Sequence, residues 1–224
     1  MKLSNDRAGR QSYPSGGRKS LIAAALLAGV LSCGLPPSAP SMADMVTAVN
    51  VVPTDDVVEA KRPFHSGRMV GDDVPYFYVR AVTGPMMNRS VCYVCRNGQR
   101  PVVMVLMRKL SPSARDLLVE IDRVVNKSRA HGLRCFGVLV SEEPMHDVSR
   151  VQTFAFDGKI EMPLTIGAPM VALPSCQNLN PDADVTVVLY RQRRVVATYA
   201  FRGDSLDQAS IERLSETIRQ FAVE

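Results

Sequence analysis

A chain of 224 residues with 46% hydrophobic and 22% charged side chains is long enough to bury one core and too apolar to be disordered throughout. Its net charge of +5 belongs mostly to residues 1–43, where Lys2, Arg7, Arg10, Arg18 and Lys19 stand against Asp6, and +1 is left for the remainder. Phosphate backbones are bound by a persistent basic face, so these numbers exclude a nucleic-acid partner.

The basic leader is followed by an apolar run, Leu21 to Leu31, and by Ser41-Met42-Ala43, a small-x-small cleavage pattern. Together they predict a secretory signal peptide over residues 1–43 and an exported product, periplasmic or otherwise extracytoplasmic. The apolar run is shorter than the ~20 residues of a comfortable membrane span. Val30-Leu31-Ser32-Cys33 resembles a bacterial lipobox, so attachment to a membrane through an uncleaved leader or a lipid on Cys33 is the alternative outcome. Cleavage after Ala43 leaves four cysteines, Cys92, Cys95, Cys135 and Cys176, an even number that permits disulfides in an exported chain.

Residues 44–68 are polar and aperiodic, with Pro53, Pro63 and Asp55-Asp56, and are expected to form a flexible arm or linker with a short strand at Val46–Val52. The remaining residues, 69–224, are expected to form one domain. Met69 to Val82 alternates loosely, offering Val74, Phe77 and Val79 to a core, with Pro75 at a strand edge or start. Residues 84–98 form a connector. Arg100 to Met107 reads as a strand buried on both faces. Ser111 as N-cap and Pro112 in the first turn open a helix with a stripe of Leu117, Leu118, Ile121, Val124 and Val125, closed by Gly132. Leu133 to Val140 is a second buried strand, and strand, helix, strand in this order calls for a right-handed parallel crossover. A helix over Val148–Phe156, a short strand over Met162–Ile166 and a loop over 167–181 containing Cys176 follow. Asp184–Tyr190 and Val195–Phe201 are expected to pair as a hairpin whose turn lacks the usual Gly or Asn. Ser205 with Gln208 has the spacing of a capping box for a last helix with a stripe of Leu206, Ile211, Leu214, Ile218 and Phe221.

The stretch Gly71-Asp72-Asp73-Val74-Pro75-Tyr76-Phe77, the turn at Thr83-Gly84 and the strand Pro101-Val-Val-Met-Val-Leu106 resemble the opening of the redoxin families. These are the alkyl hydroperoxide reductase/thiol-specific antioxidant type and the extracytoplasmic thiol-disulfide oxidoreductases. The resemblance implies an α/β, thioredoxin-like fold with a central mixed β-sheet flanked by helices. It also implies a reactive cysteine after the buried strand, where this chain has Ser111-Pro112-Ser113-Ala114 and no sulfur, so peroxidase chemistry there is not expected. A cis-proline before the strand facing the active site would fall close to Val185, and Pro181 is shifted from that place.

The cysteine pair Cys92-Tyr93-Val94-Cys95 precedes the strand instead. On an extended strand the two Cα atoms would lie roughly 10 Å apart, whereas a disulfide needs them within about 7 Å. The pair therefore closes on itself only if the connector makes a turn or one helical turn there. Arg89, Arg96 and Arg100 nearby would favour a thiolate. In the redox reading, Cys92 and Cys95 are catalytic residues of an exported thiol-disulfide oxidoreductase or redox-sensing protein acting on protein thiols or disulfides. The resemblance implies that Cys92 attacks and Cys95 resolves. In the competing reading the chain is a catalytically inactive thioredoxin-like binding module whose cysteines are structural, bridged to each other or with one of the pair joined to Cys176. Cys135, in a buried strand, is expected to be an inert core thiol. Met86-Met87 with His131 or His146 is a donor set suited to Cu(I), and Sco-type copper chaperones share the fold, which makes copper handling a third alternative. No phosphate loop, zinc quartet or Ser/His/Asp order is present in the sequence, and no cofactor is implied.

Overall fold

The computed structural model describes residues 64–223, the side chain of residue 204 aside. The signal peptide, Cys33 and the strand expected at Val46–Val52 lie outside the described residues.

The centre of the fold is β3 (Val102–Met107), six consecutive apolar residues that are all buried. A run of this kind is stable only with neighbours on both edges and packing on both faces. On one edge lies β4 (Arg134–Val140), parallel, with Val102 opposite Arg134 and Met107 opposite Leu139. On the other lies β6 (Val185–Arg191), antiparallel. The crossover between β3 and β4 is α2 (Pro112–Lys127), opened by Ser111, whose hydroxyl accepts the Ala114 N–H at 3.1 Å. The helix stops at Lys127, a short 3₁₀ turn follows, and Gly132 takes the left-handed conformation (φ 86°) that returns the chain to the sheet. A second crossover, α3 (Asp147–Asp157), leads from β4 to the parallel β5 (Leu164–Gly167). Outside β5 lie β1 (Val79–Ala81) and β2 (Ser90–Val91), both antiparallel, linked by the turn in which Gly84 has φ 78°. Beyond β6 lies β7 (Arg194–Phe201), and α4 (Gln208–Val223) ends the chain. The sheet order is β2-β1-β5-β4-β3-β6-β7.

Alternation along β3 divides the core in two. Val103, Val105 and Met107 face a layer made by α2, α3 and α4, into which the expected stripes of α2 and α4 are buried. Val102, Met104 and Leu106 face the opposite layer, built from Val74, Phe77, Val79 and a short helix, α1 (Tyr93–Asn97).

Three expectations are corrected. The alternation over Met69–Val82 is real in burial, since Val74, Phe77 and Val79 are core, but only Val79–Ala81 is strand: the earlier residues meet a partner just at the isolated bridge between Asp73 and Arg194, too short to make a ladder. The last helix is capped by Asp207, whose Oδ1 accepts the Ser210 N–H at 2.8 Å. Ser205 belongs to the preceding 3₁₀ turn and hydrogen-bonds Arg202 instead. The packed body also includes residues before Met69: Ser66 is buried, with its hydroxyl 2.6 Å from that of Thr186, and the Gly67 N–H donates to Asn178 O at 3.0 Å. Among the described residues no helix is long and apolar enough to cross a membrane.

Candidate active site

Cys92 and Cys95 are joined to each other, with Cα atoms 5.3 Å apart. The connector meets the distance condition by a single helical turn: α1 begins just after Cys92, and Cys92 Sγ accepts the Cys95 N–H at 3.1 Å as the N-cap. A five-residue helix has no stability of its own. It is held by the bridge, by burial of Val94 and Tyr93, and by the Tyr93 ring stacked on Phe136 of β4 with centroids 5.1 Å apart. Gly98 then turns the chain into β3.

The two sulfur-bearing residues are not equivalent. Cys92 is 5% exposed and packs into the core layer, whereas Cys95 is exposed on the outer side of the turn. The exposures therefore run opposite to the order of attack that the redoxin resemblance implies. Cys95 opens into a cleft of about 300 Å³ lined also by Tyr76, Gln99, Gln192 and Arg193. The guanidinium of Arg193 lies over the Tyr76 ring, 4.5 Å from its centroid, and contacts its hydroxyl. Gln192 and Arg193 form the β6–β7 turn with φ of 52° and 62°, a left-handed pair built without glycine. None of these cleft residues was singled out as a site residue in the sequence; the signal that could have found Tyr76 is its position next to the buried Phe77, on the opposite face of the segment.

The place where redoxins carry their reactive cysteine is at the far end of β3, roughly 17 Å along a six-residue strand, and in the opposite layer. It holds the Ser111 cap and, beside it, Lys109 paired with Asp184 at 2.8 Å. No cis peptide is found among the described residues.

The other thiols take no part in the pair. Cys176, offered by the sequence as a bridge partner, is free and half-buried, and burial pushes its pKa up. Cys135 is free and buried in β4. Burial, with the nearby Asp122 carboxylate second, pushes its pKa up to about 12. Folded Cys135 thus keeps its proton while the unfolded thiol ionises from about pH 8.5. This contribution to stability is therefore intact below about pH 8.5 and is lost as the pH rises toward about 12, at no more than about 1.4 kcal/mol per pH unit. Urea unfolding at pH 8 and pH 10 is expected to show a larger loss of stability for the parent than for Cys135→Val. Equal losses would remove Cys135 as the cause. Among the described residues no three His, Cys, Asp or Glu side chains come together as a metal site, and His146 instead contacts Glu143 at 3.0 Å.

No protein-family profile matches the chain, and no curated protein matches it in sequence. Solved structures do. A protein of Chlorobium tepidum assigned as the thiol:disulfide interchange protein DsbE superposes with a TM-score of 0.53 at 17% identity, over 69% of this chain and 98% of that one. One of Bacteroides thetaiotaomicron assigned as a protein disulfide isomerase gives 0.56 at 14% identity, over 72% and 96%. The reduced 2-Cys peroxiredoxin of Plasmodium vivax gives 0.50 at 16% identity, over 68% and 83%. What is shared at these identities is the architecture: the chain is an α/β protein of the thioredoxin-like, redoxin-type fold, with its Cys-x-x-Cys on the helix before the central strand.

Proposed function

We propose that the chain is an exported thiol-disulfide exchange protein whose redox centre is the Cys92–Cys95 pair and whose substrates are protein thiols or disulfides. The observation that carries the reading is a closed, one-turn disulfide with one exposed residue beside an open cleft. The signal-like leader supports export, and the assignments of two of the similar structures, a thiol:disulfide interchange protein and a protein disulfide isomerase, support the chemistry.

The asymmetry of the pair gives the step a direction at the atomic level. A partner thiolate attacks Cys95 Sγ, the exposed end. The bridge breaks, and its electron pair leaves on Cys92 Sγ as a thiolate that already accepts the Cys95 N–H. A second partner thiolate then attacks the partner sulfur of the mixed disulfide and displaces Cys95, so the partner gains a disulfide and this chain gains two electrons. The reverse sequence reduces a partner disulfide. In redox terms the leaving group is buried and stabilised, and the accessible group makes the mixed disulfide.

A second reading is favoured by a specific observation, the Ser111 hydroxyl cap where redoxins carry their cysteine. In it the domain is a retired module and the bridge is a staple for α1. Equilibration in glutathione buffers, with mass spectrometry of alkylated peptides, separates the two. The exchange reading expects Cys92 and Cys95 to titrate as one pair above roughly −300 mV. A pair that remains oxidised below that potential is a staple, and the exchange reading then fails.

A further inference from the structure

On the far side of α1 from the Cys95 cleft, a cavity of about 270 Å³ is lined by Tyr93, Cys135, Glu161 and four arginines, Arg96, Arg100, Arg129 and Arg134. The arginines come from two distant stretches, α1 with the residues that follow it, and the segment from the end of α2 to the first residue of β4. Among the described residues none of the four is in an ion pair. Two are fixed by neutral partners: Arg134 Nη1 donates to Leu133 O at 2.7 Å, and Arg129 Nε donates to Asn126 Oδ1 at 2.7 Å. The one carboxylate on the cavity, Glu161, accepts from Asn126 Nδ2 at 3.1 Å. Three net positive charges remain, and like charges gathered around one cavity repel each other until an anion joins them.

Two further observations point to a ligand. Tyr93 is 7% exposed, and its hydroxyl has no hydrogen-bond partner among the described residues, an expensive state for a buried polar atom. The second is a free edge on β4. Pairing with β5 begins only at Gly137 opposite Leu164, so Arg134, Cys135 and Phe136 run past the end of β5. The Arg134 N–H bonds to Pro101 O on the β3 side and the Gly137 N–H bonds to Pro163 O on the β5 side. Alternation along the strand therefore turns the Cys135 N–H toward the β5 side, where the cavity lies.

We propose that this cavity is a binding site for a compact oxyanion with two to three negative charges, of the small phosphate or diphosphate ester class. Guanidinium groups grip phosphate oxygens in pairs, and four of them around so small a volume match a diphosphate better than a single charge. The volume is at the lower end for small-molecule pockets, which limits the organic part of the ligand to a few atoms. The site stands independently of the exchange chemistry, because it needs only the oxidised, folded chain.

The probe is inorganic pyrophosphate on the full chain, read by thermal shift and calorimetry. At 1 mM it is expected to raise Tm by about 3 °C or more, with sodium chloride at matched ionic strength giving no rise. Arg96→Gln and Arg100→Gln, whose guanidiniums have no ion-pair partner to lose, are expected to keep the parent's Tm without ligand and to weaken binding at least roughly tenfold. Tyr93→Phe keeps the stacking ring and is expected to weaken binding by a smaller factor. An equal rise with sodium chloride, a dissociation constant above 10 mM, or undiminished binding by both arginine variants overturns the proposal.

Discussion

Cys92→Ser is expected to turn the chain into a trap: its remaining Cys95 is exposed, forms a mixed disulfide with a model peptide disulfide, and has no neighbour to resolve it. Cys95→Ser is expected to trap far less, since its remaining thiol sits 5% exposed in the core layer. Both variants should lose catalysed exchange by at least roughly 100-fold, because each removes an atom of the bond that is made and broken. The discriminating quantity is the yield of mixed disulfide by intact mass. The order of attack implied by the redoxin resemblance requires the opposite yields, with Cys95→Ser as the better trap. If that is found, α1 must reorient on reduction and the exposure argument fails. Equal low yields from both would favour the staple. Both variants lose the bridge alike, and serine at position 92 keeps an oxygen able to accept the Cys95 N–H, so the cap is present in each and the comparison is between equally weakened turns.

The parts of this architecture that were legible are those whose signal is carried by many residues at once. The unbroken run of β3, the five-residue stripe of α2 and the crossover to β4 each repeat one instruction, and the fold class follows from their order. Single-residue signals were weaker. Ser205 had the right spacing for a cap, but Asp207 stood nearer the helix and won. The alternation ending in Val79 reported burial on one face, which a sequence cannot separate from ladder pairing. At the candidate site, the distance condition on Cys92 and Cys95 correctly demanded a turn, because it rests on geometry that any chain must obey. Which of the two sulfurs faces solvent was not legible, since it depends on how Tyr93 and Val94 seat α1 against Phe136, a residue of another strand. The arginine-lined cavity was hidden for the same reason: Arg96 and Arg129 lie far apart in the chain and line one cavity, next to the first residues of β4 that β5 begins too late to pair.

That seating leads to the largest expected loss of stability. Phe136 is fully buried at the centre of the layer that carries α1, next to Val138 and across from Met104 in β3. Phe136→Ala removes a whole ring from a fully buried position, at a cost of about 3–5 kcal/mol. For a folded body of this size that corresponds to a fall in Tm of roughly 10 °C. Part of the cost is the stack on Tyr93, which a double-mutant cycle with Tyr93→Ala should measure as a coupling of about 0.5–1.5 kcal/mol. The same ring fixes the position of the turn that holds the two sulfurs together. With Phe136 gone, α1 loses its seat, the two thiols of the reduced protein spend less time within reach of each other, and the disulfide becomes easier to reduce. Glutathione equilibration of Phe136→Ala, at a temperature where it remains folded, is therefore expected to give a higher reduction potential than the parent. A parent-like potential in a destabilised protein would mean that the pair is held by α1's own turn and cap alone, and that stability and redox poise are separable in this fold.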